Sequence, residues 1–257
     1  DMMKEKPFLL LSNDDGFAAK GIQELIKVLR PMADLMVVAP SGPRSGASGS
    51  ITSEHPLRCK KIESAPGFSL YSCTGTPVDC VKLALHDLVP RTPDMVIGGI
   101  NHGDNSSVNV HYSGTMGVVI EGCLKKIPSV GFSLCDHAED ADFTPTFPYI
   151  QRIVEEVLQH GLPVGTCLNV NFPDVKELKG VRICRQTDGA WTNEFVKSVH
   201  PRGGDYWLTG SYRNDEPEAQ DTDHWALDHE YVAITPTQID VTAYTLMEQL
   251  NHWNWQL

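Results

Sequence analysis

Short apolar runs alternate with amphipathic segments over the first two-thirds of this 257-residue chain, and this alternation restricts the fold more than any other feature. Residues 8–11 and 95–100 have the length and composition of buried strands. Residues 20–30 place isoleucine and leucine on one face of a helix. Because such alternation is typical of a parallel sheet with helices on both faces, we predict a three-layer α/β protein with a mostly parallel sheet.

The same patterns predict the individual elements. We expect helices over residues 20–30, 76–88, 114–126 and 148–160, and strands over residues 8–11, 35–38, 50–62, 68–73, 95–100, 130–134, 168–172 and 181–185. Residues 191–238 are rich in aromatic side chains, Asp, His, Gly and Pro, which favours a β-hairpin and an extended arm. A short helix fits residues 242–257. We therefore expect a catalytic core over residues 1–188 and a hairpin with a C-terminal arm over residues 189–257, within one domain.

Charge and composition restrict the partners. The formal net charge of -12 argues against binding to a nucleic-acid polymer, which needs clustered basic residues. No apolar run approaches the roughly 20 residues of a membrane span or resembles a signal peptide. The seven cysteines form no C-x-x-C pair, so reduced thiols are favoured over a disulfide framework or a zinc ribbon. We expect a cytoplasmic protein that acts on a small molecule.

Polar clusters follow three of the predicted strands. Ligands of open parallel sheets bind outside the carboxyl ends of the strands, so these clusters can converge on one crevice. The candidate residues are Asn13, Asp14, Asp15 and Gly16 after the first strand, Ser41, Arg44 and Ser45 after the second, and Asn101, His102, Asp104 and Asn105 after residues 95–100.

The adjacent carboxylates of Asp14 and Asp15 suggest a cation site. Two close carboxylates repel each other, and a divalent cation relieves that repulsion. With the oxygens of Ser45 and Asn101 they form a set of hard ligands suited to Mg²⁺, Mn²⁺ or Ca²⁺. An Asp-Asp-Gly sequence taken alone fits a solvated turn equally well.

Residues 112–115 introduce a predicted helix whose N-terminus can hold a phosphate. Plain capping by Ser113 is the alternative explanation.

His102 lies within the candidate site, where it could bind substrate or transfer a proton. Trp191 either stacks on a base or packs against neighbouring side chains, and packing is the more common role. The sequence has no P-loop, no G-x-S-x-G elbow and no cysteine-phosphatase loop.

Taken together, these segments resemble the SurE family of nucleotidases. The matching segments are Ser12-Asn13-Asp14-Asp15-Gly16, residues 39–48 and 50–52, Thr74-Gly75-Thr76-Pro77-Val78-Asp79, Asn101-His102-Gly103-Asp104-Asn105, Tyr112-Ser113-Gly114-Thr115, and residues 222–236. Their order and spacing extend over most of the chain. Gly98, where serine is common in the family, is a departure outside the ligand positions.

The resemblance implies a Rossmann-like core and hydrolysis of nucleoside 5′- and 3′-monophosphates. It implies one divalent metal ion per subunit, Mg²⁺ or Mn²⁺, with Ca²⁺ able to replace it in a crystal, and a homodimer or homotetramer built through an exchanged C-terminal region. Carried over to this sequence, the metal ligands are Asp14, Asp15, Ser45 and Asn101, and the phosphate or substrate contacts are Asn13, His102, Asn105, Ser113, Gly114 and Thr115.

The expected reaction is attack by a metal-activated water, with Asp14 or Asp15 orienting the water or accepting its proton. A covalent phosphoaspartyl route is disfavoured because its Asp-x-Asp pattern is absent. A non-catalytic regulator that binds nucleotide or metal is the alternative function.

Overall fold

A computed structural model describes residues 5–199 and 202–255 of the chain. Its strands are β1 (Phe8–Ser12), β2 (Asp34–Pro40), β3 (Cys59–Ala65), β4 (Phe68–Cys73), β5 (Met95–His102), β6 (Ser129–Leu134), β7 (Thr166–Phe172), β8 (Val181–Ile183), β9 (Gly189–Thr192), β10 (Phe195–Lys197), β11 (Tyr206–Leu208), β12 (Ser211–Asn214) and β13 (Val232–Gln238). Its α-helices are α1 (Lys20–Leu29), α2 (Pro77–Leu83), α3 (Gly114–Leu124), α4 (Phe147–His160), α5 (Asp223–Asp228) and α6 (Tyr244–Leu250). A π-helical turn continues α2 over Ala84–Leu88, and 3₁₀ turns occupy Ser107–His111 and Thr144–Thr146.

The central sheet has nine strands in the order β3-β4-β2-β1-β5-β6-β7-β13-β8. The six strands from β4 to β7 in this order are parallel, whereas β3 pairs antiparallel with β4 and β13 pairs antiparallel with β7. From β1 the chain builds outward to β2 and β4, then returns to place β5 on the other side of β1. The carboxyl ends of β1 and β5 therefore flank the switch point of the sheet, where ligands bind in such folds.

Each face of the sheet carries its own apolar core. On β1, Leu9 and Leu11 belong to a cluster with residues of α1 and α4, whereas Leu10 belongs to a cluster with residues of α2. Successive side chains of a strand point to opposite faces, so a run that is buried throughout needs a helical layer on each side. The predicted three-layer α/β fold with a mostly parallel sheet is confirmed.

The strand predicted over residues 50–62 is wrong over most of its length. Regular structure begins only at Cys59, and β3 is an edge strand with exposed side chains and a register shift between Lys61 and Glu63. The residues before Cys59 form no strand pairing, and Thr52 among them donates to Asp79 at the start of α2. Their mostly polar, exposed side chains provide no apolar face to bury against the sheet.

Other boundaries differ by a few residues. Asn101 and His102, which were predicted to lie in a loop, form the last positions of β5. The C-terminal region contains the predicted antiparallel hairpin, β10–β11, and a second antiparallel pair, β9–β12. It also contains β13, which joins the central sheet because Val232, Ala233 and Ile234 are apolar and buried. The predicted terminal helix forms as α6, and the described residues after it, 251–255, are turn and coil; residues 256 and 257 lie outside the described part of the chain.

The hairpin β10–β11 and helix α6 lie on the surface. All six residues of the hairpin strands are exposed, including Phe195, Trp207 and Leu208. Helix α6 contains no buried residue. Among the described residues, no helix is both long enough and apolar enough to cross a membrane.

Candidate active site

A pocket of about 270 Å³ opens at the carboxyl ends of β1 and β5. It is lined by residues from five places in the chain: Asp14, Asp15, Ser45, Gly46, Asn101, His102, Asp104, Asn105, Asn109, Tyr112, Ser113, His137 and Trp191. The predicted convergence of the strand-end clusters therefore brings Asp14, Asp15, Ser45 and Asn101 to one pocket. A larger cavity, about 750 Å³, lies between α3 and β13 and contains none of these four residues.

Asp14 forms the buried floor of the pocket. Its side chain is only 5% exposed, and its Oδ1 accepts a hydrogen bond of 2.8 Å from the hydroxyl of Thr115. Its backbone carbonyl accepts from the N–H of Arg44 at 2.6 Å, which ties the β1 loop to the loop that carries Ser45. The carboxylate is therefore oriented by α3, and the backbone beside it is tied to the loop after β2.

Asp15 lies next to it and is less deeply buried. Its Oδ2 accepts from the backbone N–H of His102 at 3.2 Å, across the switch point. Burial, followed by the negative charge of Asp15, raises the pKa of Asp14 to about 7. Burial also raises the pKa of Asp15, although the backbone N–H of His102, which donates to its carboxylate, opposes that rise. The pair carries an electrostatic cost that a cation would remove.

Asn101 and Ser45 bring neutral oxygens to the same pocket. The Nδ2 of Asn101 donates to the carbonyl of Gly103 at 2.7 Å, which turns its Oδ1 toward the hydroxyl of Thr115, 3.4 Å away. Ser45 is exposed on the loop after β2. Thr115 is fully buried and donates to Asp14, so it orients a carboxylate from beneath the pocket.

The N-terminus of α3 meets Asp14 directly. Ser113 caps the helix by accepting from the N–H of Met116 at 2.9 Å. The N–H of Gly114 donates to the Asp14 carboxyl group and lowers its pKa. A Cβ atom at Gly114 would lie 2.7 Å from the Cβ of Asp14, so only glycine permits this approach.

His102 is fixed by hydrogen bonds at both ring nitrogens. Its Nε2 accepts from the N–H of Gly21 at 3.0 Å, and its Nδ1 lies 2.9 Å from the carbonyl of Ala138. This arrangement requires a neutral ring with the proton on Nδ1. The ring also packs edge-on against Phe143. His102 thus joins α1 to the loop after β6, and its backbone N–H is the group that faces Asp15.

Asn13 and Asn105 also have internal partners. The amide of Asn13 is buried and both bonds of its side chain go to Gly16, at 2.9 and 3.2 Å, which shapes the turn that presents Asp14 and Asp15. Asn105 donates from Nδ2 to Ser133 and lines the pocket. Of these two predicted substrate contacts, Asn105 is the one that reaches the pocket wall.

Six lining residues were not among the predicted ligands and substrate contacts: Gly46, Asp104, Asn109, Tyr112, His137 and Trp191. His137 follows the carboxyl end of β6, so the strand-end argument applied to that strand would have found it. Trp191 is on β9, and the sequence offered it either a stacking or a packing role without indicating that it lies beside this pocket.

A buried polar network supports the loop that forms one wall. The carboxylate of Asp223 accepts from the backbone N–H groups of Ser107 and Thr187 at 2.7 and 3.1 Å. The hydroxyl of Ser107 pairs with Tyr212 at 2.7 Å. The start of α5, the β9–β12 pair and the wall of the pocket therefore form one hydrogen-bonded unit.

The residues present fit a divalent cation with oxygen ligands. Two carboxylates, one amide oxygen and one hydroxyl line the same small pocket, and the raised pKa of Asp14 marks negative charge that lacks compensation. Among residues 5–199 and 202–255, no group of three or more His, Cys, Asp or Glu side chains is arranged to hold a metal. Carboxylate, amide and hydroxyl oxygens are the donors that hard cations take in proteins, whereas structural zinc takes Cys and His.

The chain is similar over most of its length to known proteins. Residues 9–193 match the family model described as survival protein SurE. A protein of Phocaeicola vulgatus named 5'-nucleotidase SurE is 69% identical over 254 residues, covering 98% of this chain and 99% of the relative. A protein of the same name from Bacteroides thetaiotaomicron is 55% identical, covering 100% of this chain and 99% of the relative.

A solved structure gives the same result for the fold. The crystal structure of the SurE protein from Aquifex aeolicus superposes with a TM-score of 0.83 at 35% identity, covering 96% of this chain and 99% of that one. Because the family model spans most of the chain and the relatives match it almost end to end, the chain belongs to the SurE family.

Proposed function

We propose that this chain is a divalent-metal-dependent nucleotidase that hydrolyses nucleoside 5′-monophosphates, and also 3′-monophosphates, to nucleoside and phosphate. The observation that carries the proposal is the buried pair Asp14 and Asp15 beside the N-terminus of α3. The relatives from Phocaeicola vulgatus and Bacteroides thetaiotaomicron, both named 5'-nucleotidase SurE, support the choice of substrate.

Asp14, Asp15, Ser45 and Asn101 would hold the metal ion, Mg²⁺ or Mn²⁺. A bound divalent cation supplies positive charge that neutralises the phosphate and promotes the ionisation of water. This charge is needed because the substrate is a dianion and the chain itself carries a net charge of -12. Without it, the two carboxylates would repel the phosphate from the pocket.

The chain's own groups then position the reactants. Thr115 and the Gly114 N–H hold the Asp14 carboxylate in place, and the Asn101 amide is fixed through Gly103. Ser113 and the first turn of α3 add helix-dipole stabilisation for negative charge at the pocket. Positioning of this kind supplies a large share of the rate enhancement in phosphoryl transfer.

Asp15 is the better placed of the two carboxylates to accept a proton from the attacking water. It is less buried than Asp14, so it is the more accessible of the two carboxylates to a water molecule in the pocket. Asp14 is enclosed by Thr115 and Gly114 and is better suited to anchoring the cation.

Self-association is part of the proposal. The hairpin β10–β11 exposes Phe195, Val196, Trp207 and Leu208, and α6 exposes Leu246 and Met247. Exposed apolar side chains grouped on projecting elements are typical of protein interfaces. We expect these elements to join copies of the chain into a homodimer or homotetramer.

The substrate range is tested by phosphate release from a panel of nucleoside 5′- and 3′-monophosphates, with Mg²⁺ or Mn²⁺ supplied to the full-length protein. Turnover of the 5′-esters is expected in every case, and the panel ranks bases and ester positions. If nucleotides bind saturably and none is hydrolysed with either metal, the chain is a nucleotide-binding regulator and the nucleotidase proposal fails.

A further inference from the structure

Two aromatic side chains stand at the mouth of the pocket. Trp191 of β9 is 36% exposed and Tyr112, just before α3, is 60% exposed, while Asp14 at the floor is 5% exposed. The pocket therefore changes from charged and buried at its base to aromatic and open at its rim. A nucleotide has the same polarity, with a charged phosphate at one end and a flat base at the other.

The ring of Trp191 is held in place before any ligand arrives. Its Nε1 donates to Oδ1 of Asn109 at 2.8 Å, and its ring packs edge-on against Tyr212, its cross-strand partner, at 6.2 Å. A Cβ at Gly210 would lie 3.1 Å from Cε3 of the same ring. A side chain fixed in this way loses little conformational entropy when a ligand stacks on it.

The volume of the pocket indicates where a base would lie. About 270 Å³ is below the roughly 300–1,000 Å³ of pockets that enclose a drug-sized ligand. The phosphate and sugar would fill the polar floor, which leaves the base at the rim. We propose that Trp191 is the stacking platform for the nucleobase, with Tyr112 as the second aromatic group of that subsite; the proposal rests on the nucleotidase function proposed above.

This subsite provides affinity with little selection among bases. The single polar atom of the Trp191 ring is already bonded to Asn109, so the ring offers only its π-face and its apolar edge. Every base has a π-face, and stacking on an aromatic ring is tolerant of base identity. Purines, with the larger ring system, gain more from stacking than pyrimidines.

The test compares Trp191→Leu with Trp191→Phe in the full-length, metal-loaded protein. Both variants lose the hydrogen bond to Asn109 and both keep an apolar side chain, so the difference between them reports the aromatic face. The measured quantities are kcat and KM for purine and pyrimidine 5′-monophosphates and for ribose 5-phosphate, which has the same ester and no base.

With Trp191→Leu, KM for a purine nucleotide should rise roughly ten-fold, the scale of one base–aromatic stack. Its kcat and all constants for ribose 5-phosphate should stay near those of the wild type, and Trp191→Phe should recover most of the loss. An equal rise in KM for ribose 5-phosphate, or an unchanged KM for nucleotides, would overturn the proposed stacking platform. A wild type that hydrolyses ribose 5-phosphate and no nucleotide would instead refute the proposed function, which keeps the two failures distinct.

Discussion

The carboxyl group of Asp14 illustrates how one buried residue can serve function at a cost to stability. Burial beside Asp15 raises its pKa from 3.8 to about 7, so the folded protein resists the ionised form. The hydrogen bonds from Thr115 and Gly114 lower this pKa and so offset the rise only in part. Sites that bind cations commonly hold such uncompensated charge, because the ligand supplies the missing partner.

Replacing Asp14 by Asn should therefore stabilise the metal-free protein at pH 8. The raised folded-state pKa means that ionised Asp14 costs on the order of a few kcal/mol above pH 7, and that the cost disappears as pH falls toward 4. Thermal denaturation after chelation should show a higher Tm for Asp14→Asn at pH 8 and little difference near pH 4. Added Mn²⁺ should raise Tm of the wild type alone. A lower Tm for the variant at pH 8 would contradict this account of the charge.

Gly114 offers a steric test of the same site. A Cβ at Gly114 would lie 2.7 Å from the Cβ of Asp14, so Gly114→Ala must displace the Asp14 side chain and its carboxylate. Misplacement of about 1 Å can reduce turnover on the order of 100-fold. Gly42→Ala is the matched control, because a Cβ there meets no atom within 4 Å. Equal activity of the two variants in a phosphate-release assay would show that the position of Asp14 does not matter.

Individual site residues were predictable from the sequence to different degrees. The strand-end rule led to Asp14, Asp15, Ser45 and Asn101, since it needs only the order of strands and the polar residues after them. The role of His102 could not be predicted in this way. Its partners Gly21 and Ala138 are distant in sequence, and only the folded chain shows that both ring nitrogens are engaged.

At the level of elements, the parallel strands were the most predictable part. Their apolar runs must be buried on both faces, which leaves little freedom in where they lie. The edge strand β3 was predicted poorly, because an exposed antiparallel edge needs no continuous apolar pattern. The connection of α5 and the β9–β12 pair to the pocket wall depends on side chains about 36 to 116 positions apart, beyond the reach of local patterns.

The Asp223 network gives an element-scale prediction. Asp223→Ala leaves the buried N–H groups of Ser107 and Thr187 without their acceptor. We expect the free energy of unfolding to fall by about 3 kcal/mol, measured by urea denaturation. Asp221→Ala is the control. Asp221 lies two positions before Asp223 and forms an exposed ion pair with Arg185, so its removal should change the free energy of unfolding little. Similar stability of both variants would mean that the network does not secure the pocket wall.

At the scale of the whole molecule, a single chain buries the apolar side chains of the core and leaves those of the hairpin β10–β11 and of α6 exposed. The composition of residues 191–238 indicated a hairpin and an arm, and the structure shows that β13 from the same region closes part of the main sheet.

Self-association can be tested at the hairpin. Leu208→Asp places a charge on its exposed apolar surface and should reduce the assembly to smaller species in light scattering coupled to size exclusion. Lys197→Asp, on the paired strand, lowers the net charge by two rather than one and removes no apolar side chain, so it controls for charge and should have the smaller effect. A wild type with the mass of a single chain would refute the proposed assembly.

The central claim is that Asp14 and its neighbours hold a divalent metal for phosphate ester hydrolysis. The most direct measurement is phosphate release from adenosine 5′-monophosphate by wild type and Asp14→Asn, first after chelation and then with Mg²⁺ or Mn²⁺ restored. We predict that wild-type activity disappears with chelation and returns with metal, and that the variant stays inactive throughout. Turnover that survives chelation, or near-normal turnover by Asp14→Asn, would contradict the account.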